Sequence, residues 1–360
     1  MFDEDEMLLY LANGVTTVRN MHGTRTHLEW REQIRKGERL GPRLFTAGPI
    51  LDGDPPTRNT NVVVKTKAEA ENAVAEQKQA GYDFIKIYDN VPRDIYEAIT
   101  AVARRHNIPV TGHIPSPVGV KGLPEVPGQV CVEHVEELLP FLDDGRDPGR
   151  VDEIAKSLAQ AGIWVDPTLT VFLSAYEQVT EWPLIQKRPE MKYVNSETMR
   201  NWGWAATAQA RFENPRARER FQRVNLFFEQ KLIPALHRAG VRLLVGTDAP
   251  MATIPPGFAM LGELRALVRS GLTPYEALVA ATRNPAEFMN QSKEFGTIEI
   301  GKRADLILLS TTPLENINAV ENKVGVMANG RWLSMVELQQ QLENLSTKYA
   351  KATPEGSEEK

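Results

Sequence analysis

The chain has 360 residues and a net charge of −5, which gives it no electrostatic case for binding nucleic acid or an anionic membrane. Its 42% hydrophobic and 25% charged residues are those of an ordinary globular protein, and no apolar run reaches the length of a bilayer span. A single cysteine, Cys131, excludes an internal disulfide framework.

The opening "MFDEDEMLLY" is acidic where an export signal is basic, so a cytoplasmic location is the default expectation. "EDEMLLYLANG" has helical spacing and stops at Gly14. "VTTVRNM" (15–21) and "RLFTAG" (43–48) read as strands. "TKAEAENAVAEQKQAG" (66–81) reads as a helix closed by Gly81, followed by the strand "DFIKIYD" (83–89) and the helix "RDIYEAITAVARRHN" (93–107). "IPVTGHIP" (108–115), "VCVEHVEELL" (130–139) and "IWVDPTLTVF" (163–172) are strand-led, with the helix "GRVDEIAKSLAQAG" (149–162) before the last. Residues 174–239 carry no strand pattern; a helical insertion is expected over about 174–230, then the crossover helix "VNLFFEQKLIPALHRAG". "VRLLVGTDAP" (241–250) reads as a strand, and two helices follow around 258–270 and 274–289.

Strands alternating with helices predict a parallel sheet with right-handed crossovers. Seven such strands over roughly 240 residues suit a (β/α) barrel better than an open sheet, and no Gly-x-Gly-x-x-Gly follows a strand. Barrel residues are therefore placed at 1–295. From about 296 the pattern changes to short strands with turns at Ile300–Gly301 and Asn329–Gly330, giving a small β-subdomain over 296–335. Residues 336–360 read as a helix that runs into a disordered charged tail.

Four polar residues interrupt separate strands near their C-terminal ends: Lys86, His113, His134 and Asp248. Singly, each has a plain explanation: a snorkelling lysine, hydrogen-bonded structural histidines, a capping aspartate. Converging on one barrel face, they point instead to a metal site, because that face is where barrel chemistry sits. Neutral imidazoles and carboxylates suit zinc or a similar divalent ion. A buried lysine loses its proton readily, and its neutral amine can add carbon dioxide to form a bridging carbamate. Asp248 then accepts and returns the proton of an attacking water. Tyr88, two residues past Lys86 on the same strand face, and His22, just past the strand at 15–21, are candidate substrate contacts.

Together "GVTTVRNM", "GPRLFTAG", "FIKIYD", "GHIP", "VEHVEELLP", "LLVGTDAP", "GLTPYEALVAATRNPAEFM" and "GTIEIGKRADLILL" resemble the amidohydrolase superfamily of metal-dependent hydrolases, over nearly the whole chain. The resemblance implies a TIM-like (β/α)8 barrel holding one or two divalent ions, with Lys86 carboxylated, His113 and His134 as ligands, and Asp248 as ligand and general base. It also implies that residues 296–335 are the returning part of a composite β-sandwich. Relatives with lysine on strand four resemble Xaa-Pro dipeptidases, whereas imidazolonepropionase lacks it; Lys86 thus implies an amide or dipeptide-like small-molecule substrate.

One departure is large. None of the six histidines forms the His-x-His that ends the family's first barrel strand, so the barrel is expected to lack that strand and to expose the edges of its neighbours. His22 and His27 have the wrong spacing to replace it, while His106 and His237 sit at predicted helix C-termini in structural positions. The start at an internal methionine of a longer protein, a one-metal site, and an inactive relative that binds metal weakly all account for the gap. A lyase using Lys86 as a Schiff base is the rival chemistry. Further features are the proline-rich loop 52–60, the tryptophan pair in 201–212 read as a lid or a packed face, and Glu133, Glu136 and Glu137 read as supports for His134 or surface charge. Homo-oligomer formation stays open.

Overall fold

The computed structural model describes residues 1–352 apart from 2, 186, 203–209 and 211–212. Parallel strands form its centre: β1 (Thr17–Asn20), β2 (Arg43–Thr46), β3 (Leu51–Asp52), β4 (Val62–Val63), β5 (Ile85–Ile87), β6 (Val110–Gly112), β7 (Gln129–Glu133) and β8 (Trp164–Asp166). β1 pairs with β2, Ala47 bridges from β2 to Phe84 beside β5, and β5 through β8 pair in chain order. Val165 of β8 then bridges to Leu243, the ordered remnant of the strand expected over 241–250.

The strand at 43–48 continues after a break. Chain direction changes at Gly48–Pro49, and β3 resumes pairing with β5. A Cβ on Gly48 would lie 2.4 Å from Gln77 Oε1, so a larger residue there would have to displace the Gln77 side chain of the helix Lys67–Ala80. That helix opens on a reciprocal capping box between Thr66 and Glu69 and ends at left-handed Gly81. The helix Arg25–Lys36 is absent from the expectations above; its cap uses His27, whose Nδ1 accepts the Thr24 N–H at 3.0 Å.

Strand alternation sorts side chains into two environments. Ile85, Ile87, Val110, Val132 and Val165 face outward into the main hydrophobic core shared with the surrounding helices. The intervening residues Arg19, Lys86, Thr111, Glu133 and Asp166 face inward, above an apolar cluster of Cys131, Trp164 and Leu244. The described residues of 169–238 form no strand and carry a series of helical elements, beginning with Leu169–Thr180 and ending with Ile233–Arg238. Antiparallel strands β9 (Leu306–Leu309), β10 (Lys323–Ala328) and β11 (Arg331–Ser334) follow, joined by a turn with positive φ at Asn329 and Gly330. "GTIEIG" itself is not a strand. A helix over Met335–Ala352 closes the described chain; the expected tail at 353–360 and Trp204 lie outside it.

Among the described residues no pairing joins β1 to the Leu243 segment. Consecutive residues 13–22 and 244–251 instead line a cavity of about 550 Å³. No described helix is long and apolar enough to cross a membrane.

Candidate active site

Lys86, Tyr88, His134, Asp248 and His22 all line that cavity. His113 is beside it rather than on its wall: its ring stacks on Tyr88 at 3.8 Å and meets the His134 ring edge-on at 5.1 Å. Each predicted residue follows or occupies the C-terminal part of a parallel strand, as inward alternation requires.

Lys86 is 2% exposed, and among the described residues its ammonium nitrogen has no hydrogen bond or ion pair. Its nearest aromatic is Tyr88, whose ring centroid is 5.5 Å from Nζ. Burial pushes the amine's pKa down, against the opposing charges of Glu133 and Asp248. Burial also holds the His113 imidazole well below the usual range and takes His134 down to about 3. Both rings are therefore neutral, the form that binds a cation.

Backbone geometry sets these side chains apart from ordinary strand ends. His134, Thr168 and Asp248 all have positive φ, at 75°, 47° and 52°. Each such non-glycine conformation costs about 1–3 kcal/mol and is characteristic of functional positions. Thr168 Oγ1 lies 2.9 Å from His134 Nδ1, which turns the opposite ring nitrogen away from the threonine.

A charged network beneath the site was not anticipated. Arg19 makes two bonds to Glu133, at 2.6 and 2.8 Å, and one to Asp166 at 2.8 Å. Thr111 adds a hydroxyl donor to Glu133. Burial opposes ionisation of Glu133, yet Arg19 and Lys86 bring its pKa to about 2; burial and the Glu133 charge raise Asp166 to about 7. The visible sign was a polar residue at an inward position in "TTVRN", "VCVEH" and "IWVDP" alike.

Nor were Asp89 and Glu137 anticipated as ligands. Asp89 Oδ1 lies 2.7 Å and Glu137 Oε1 3.2 Å from His113 Nδ1, and the donor atoms of the three residues lie within 4.8 Å of one another. Glu137 also accepts the Ile114 N–H, while burial pushes its carboxyl up to about 7. Glu133 and Glu137 thus point inward, and Glu136 has a buried oxygen without a partner; the surface-charge reading does not apply to them. Of the remaining histidines, His27 caps its helix, His106 ends the helix Arg93–Arg105, and His237 lies 3.4 Å from Glu276.

The donors fit a divalent metal. Among the described residues, buried His113 Nε2 has no hydrogen-bond partner and the buried Lys86 amine no ion pair, and the His134 imidazole and the carboxylates of Asp89, Glu137 and Asp248 lie around them.

Solved structures share this architecture. Bottromycin amidohydrolase superposes with a TM-score of 0.78 at 24% identity, over 96% of this chain and 77% of that one. A Xaa-Pro dipeptidase with bound methionine gives 0.66 at 21% identity, over 91% and 77%. Among curated relatives, imidazolonepropionase of Maricaulis maris (strain MCS10) is 38% identical over 76 residues, 21% of this chain and 19% of that protein. Ochratoxinase of Aspergillus niger is 38% identical over 90 residues, 25% and 18%. The matched stretches span about a fifth of these curated relatives' lengths. The Amidohydrolase family pattern matches residues 9–333, and the chain belongs to that family.

Proposed function

We propose that the chain is a metal-dependent hydrolase of amide-type carbon–nitrogen bonds in small molecules. The observation that carries this reading is Lys86: a buried amine with no hydrogen bond or ion pair among the described residues, on the wall of a cavity shared with His134 and Asp248. Lys86, after carboxylation, with His113, His134 and Asp248 would hold one or two divalent ions, zinc being the ion best suited to this donor set. A divalent ion there supplies Lewis acidity to a water and to the scissile carbonyl.

The chain's own residues do the rest. Asp248 takes the proton from the attacking water and returns it to the leaving nitrogen. The Thr168 contact fixes the His134 ring, and Asp89 and Glu137 fix His113. Arg19 neutralises the carboxylates beneath Lys86, which leaves the amine free to react. In this reading β1 and the Leu243 segment flank the place of the family's first barrel strand, and residues 296–335 are a β-sandwich portion. The Xaa-Pro dipeptidase among the similar folds supports a substrate resembling a dipeptide rather than an ordinary polypeptide.

Metal content and hydrolysis of an amide panel test the proposal. Lys86→Ala should lower bound metal and reduce kcat by at least a hundredfold with the fold intact by circular dichroism. Full activity in a metal-free preparation would overturn it. An unpaired amine of depressed pKa also suits a Schiff-base lyase. Borohydride trapping of a carbonyl compound on Lys86 would select that chemistry instead.

A further inference from the structure

Among the described residues, Glu263 is a buried carboxylate with no cation paired to it. It interrupts the buried face of the helix Met260–Arg269, among Leu264, Ala266 and Leu267, and is 0% exposed. Its oxygens accept backbone N–H groups instead: Oε1 that of Leu169 and Oε2 that of Thr170, each at 2.8 Å. A carboxylate in an apolar place is costly unless hydrogen bonds replace its water, and these two do so at the positive end of a helix dipole.

Those N–H groups are the first two of the helix Leu169–Thr180, where a capping side chain is ordinarily the acceptor. The capping position is held by Thr168, a good capping type, yet its side chain makes no cap bond. Its backbone stands at φ 47° and ψ 46°, where a β-branched residue is rare, and its hydroxyl lies 2.9 Å from His134 Nδ1. Aimed at the imidazole, the hydroxyl does not serve the helix, and Thr168 O takes only the Val171 N–H, at 3.0 Å. Glu263 supplies the two acceptors that are missing. The helix has a second anchor further along, because Ser174 Oγ and Gln178 Nε2 both donate to Ala252 O at 3.1 Å.

We infer that Glu263 is a positioning residue for the proposed metal site: it caps the helix Leu169–Thr180 in place of Thr168, and so reserves the Thr168 hydroxyl for His134. This rests on the hydrolase reading above, in which His134 is a ligand. Without the carboxylate, two buried N–H groups lose their acceptor, a loss that a helix start does not leave unfilled. Thr168, already in the capping position, is the side chain able to fill it. Relaxing from positive φ to the extended backbone of an ordinary cap turns its hydroxyl onto the helix and off the imidazole. With Thr168 Oγ1 accepting the Nδ1 proton, His134 presents its Nε2 lone pair to a cation; released, the ring turns and exchanges tautomers.

Zinc titrations of Glu263→Gln, Thr168→Val and the double variant test this, with Glu263→Ala as the stronger substitution. Each single variant should bind zinc about tenfold more weakly than the unmodified chain. The double variant should match Thr168→Val alone, because both changes act through one hydroxyl. In the metal-free chain, long-range proton–nitrogen NMR spectra should show the His134 proton on Nδ1, and Glu263→Gln should mix the two tautomers. Should Glu263→Ala not fold, Glu263→Gln, which keeps the side-chain volume, decides by the same readouts. Losses that multiply in the double variant would overturn the inference and leave the metal site standing. So would a Glu263 variant that loses stability in urea while zinc affinity and tautomer stay unchanged, since that is the behaviour of a merely structural cap. Absence of zinc binding by the unmodified chain would instead sink the hydrolase reading, and the tautomer spectra would then decide the link from Glu263 to His134 by themselves.

Discussion

Arg19 shows what a buried charge does when its partners are fixed by the backbone. Its side chain is 14% exposed, and two carboxylates from different strands converge on its guanidinium. Removing a buried cation leaves acids that neither water nor another base can satisfy, at a cost of about 3–5 kcal/mol. Arg19→Met should lower stability by that amount in urea denaturation, and adding Glu133→Gln should recover part of the loss. Additive losses in the double variant would contradict the pairing. Lys86 is the converse case, a buried amine on β5 that makes no ion pair among the described residues. In the proposed hydrolase its reactivity would depend on Arg19 occupying Glu133, since the Glu133 charge favours the protonated amine.

Among elements, the helix Pro215–Phe227 illustrates how this part of the chain is fastened to the turn at Asp144, beyond β7. Arg220 makes two bonds to the Asp144 carboxylate, at 3.1 and 2.7 Å, and Arg223 adds a third at 2.7 Å. Burial opposes the Asp144 charge, but the hydrogen bonds and charges of the two arginines together hold its pKa below the ordinary aspartate range. The sign follows from linkage: stability from a depressed carboxyl is present above its unfolded pKa and disappears as pH falls through the folded value. Asp144→Asn, which tolerates the positive φ of 52° there, should therefore cost up to about 1 kcal/mol at pH 7, as expected of a largely exposed pair. Urea titrations should show the difference from the unmodified chain shrinking toward zero below the aspartate range. A difference independent of pH would refute the ion-pair account.

At the scale of the molecule, the site joins side chains from residues 19 to 248 across one cavity. A cation bound only by the folded form raises stability by about 2.7 kcal/mol at a hundredfold excess over its Kd. Thermal unfolding should thus shift upward on adding zinc, and His134→Ala should abolish most of the shift. An unchanged midpoint in the unsubstituted chain at saturating zinc would count against the metal site.

Much of this could be read along the chain. Period-two alternation located the parallel strands, glycines marked helix ends at Gly81 and Gly240, and each polar interruption of an apolar strand marked an inward position. Strand periodicity is local, so it survives in one dimension. Pairing between distant side chains is not local. Arg19 and Asp166 are 147 residues apart, and neither "TTVRN" nor "IWVDP" records that they meet. The same holds for Asp89 and Glu137 around His113. Residue spacing determined which positions face inward; the tertiary structure alone decided which charges are satisfied there and which remain free to act, because a charge's state depends on every group around it in space.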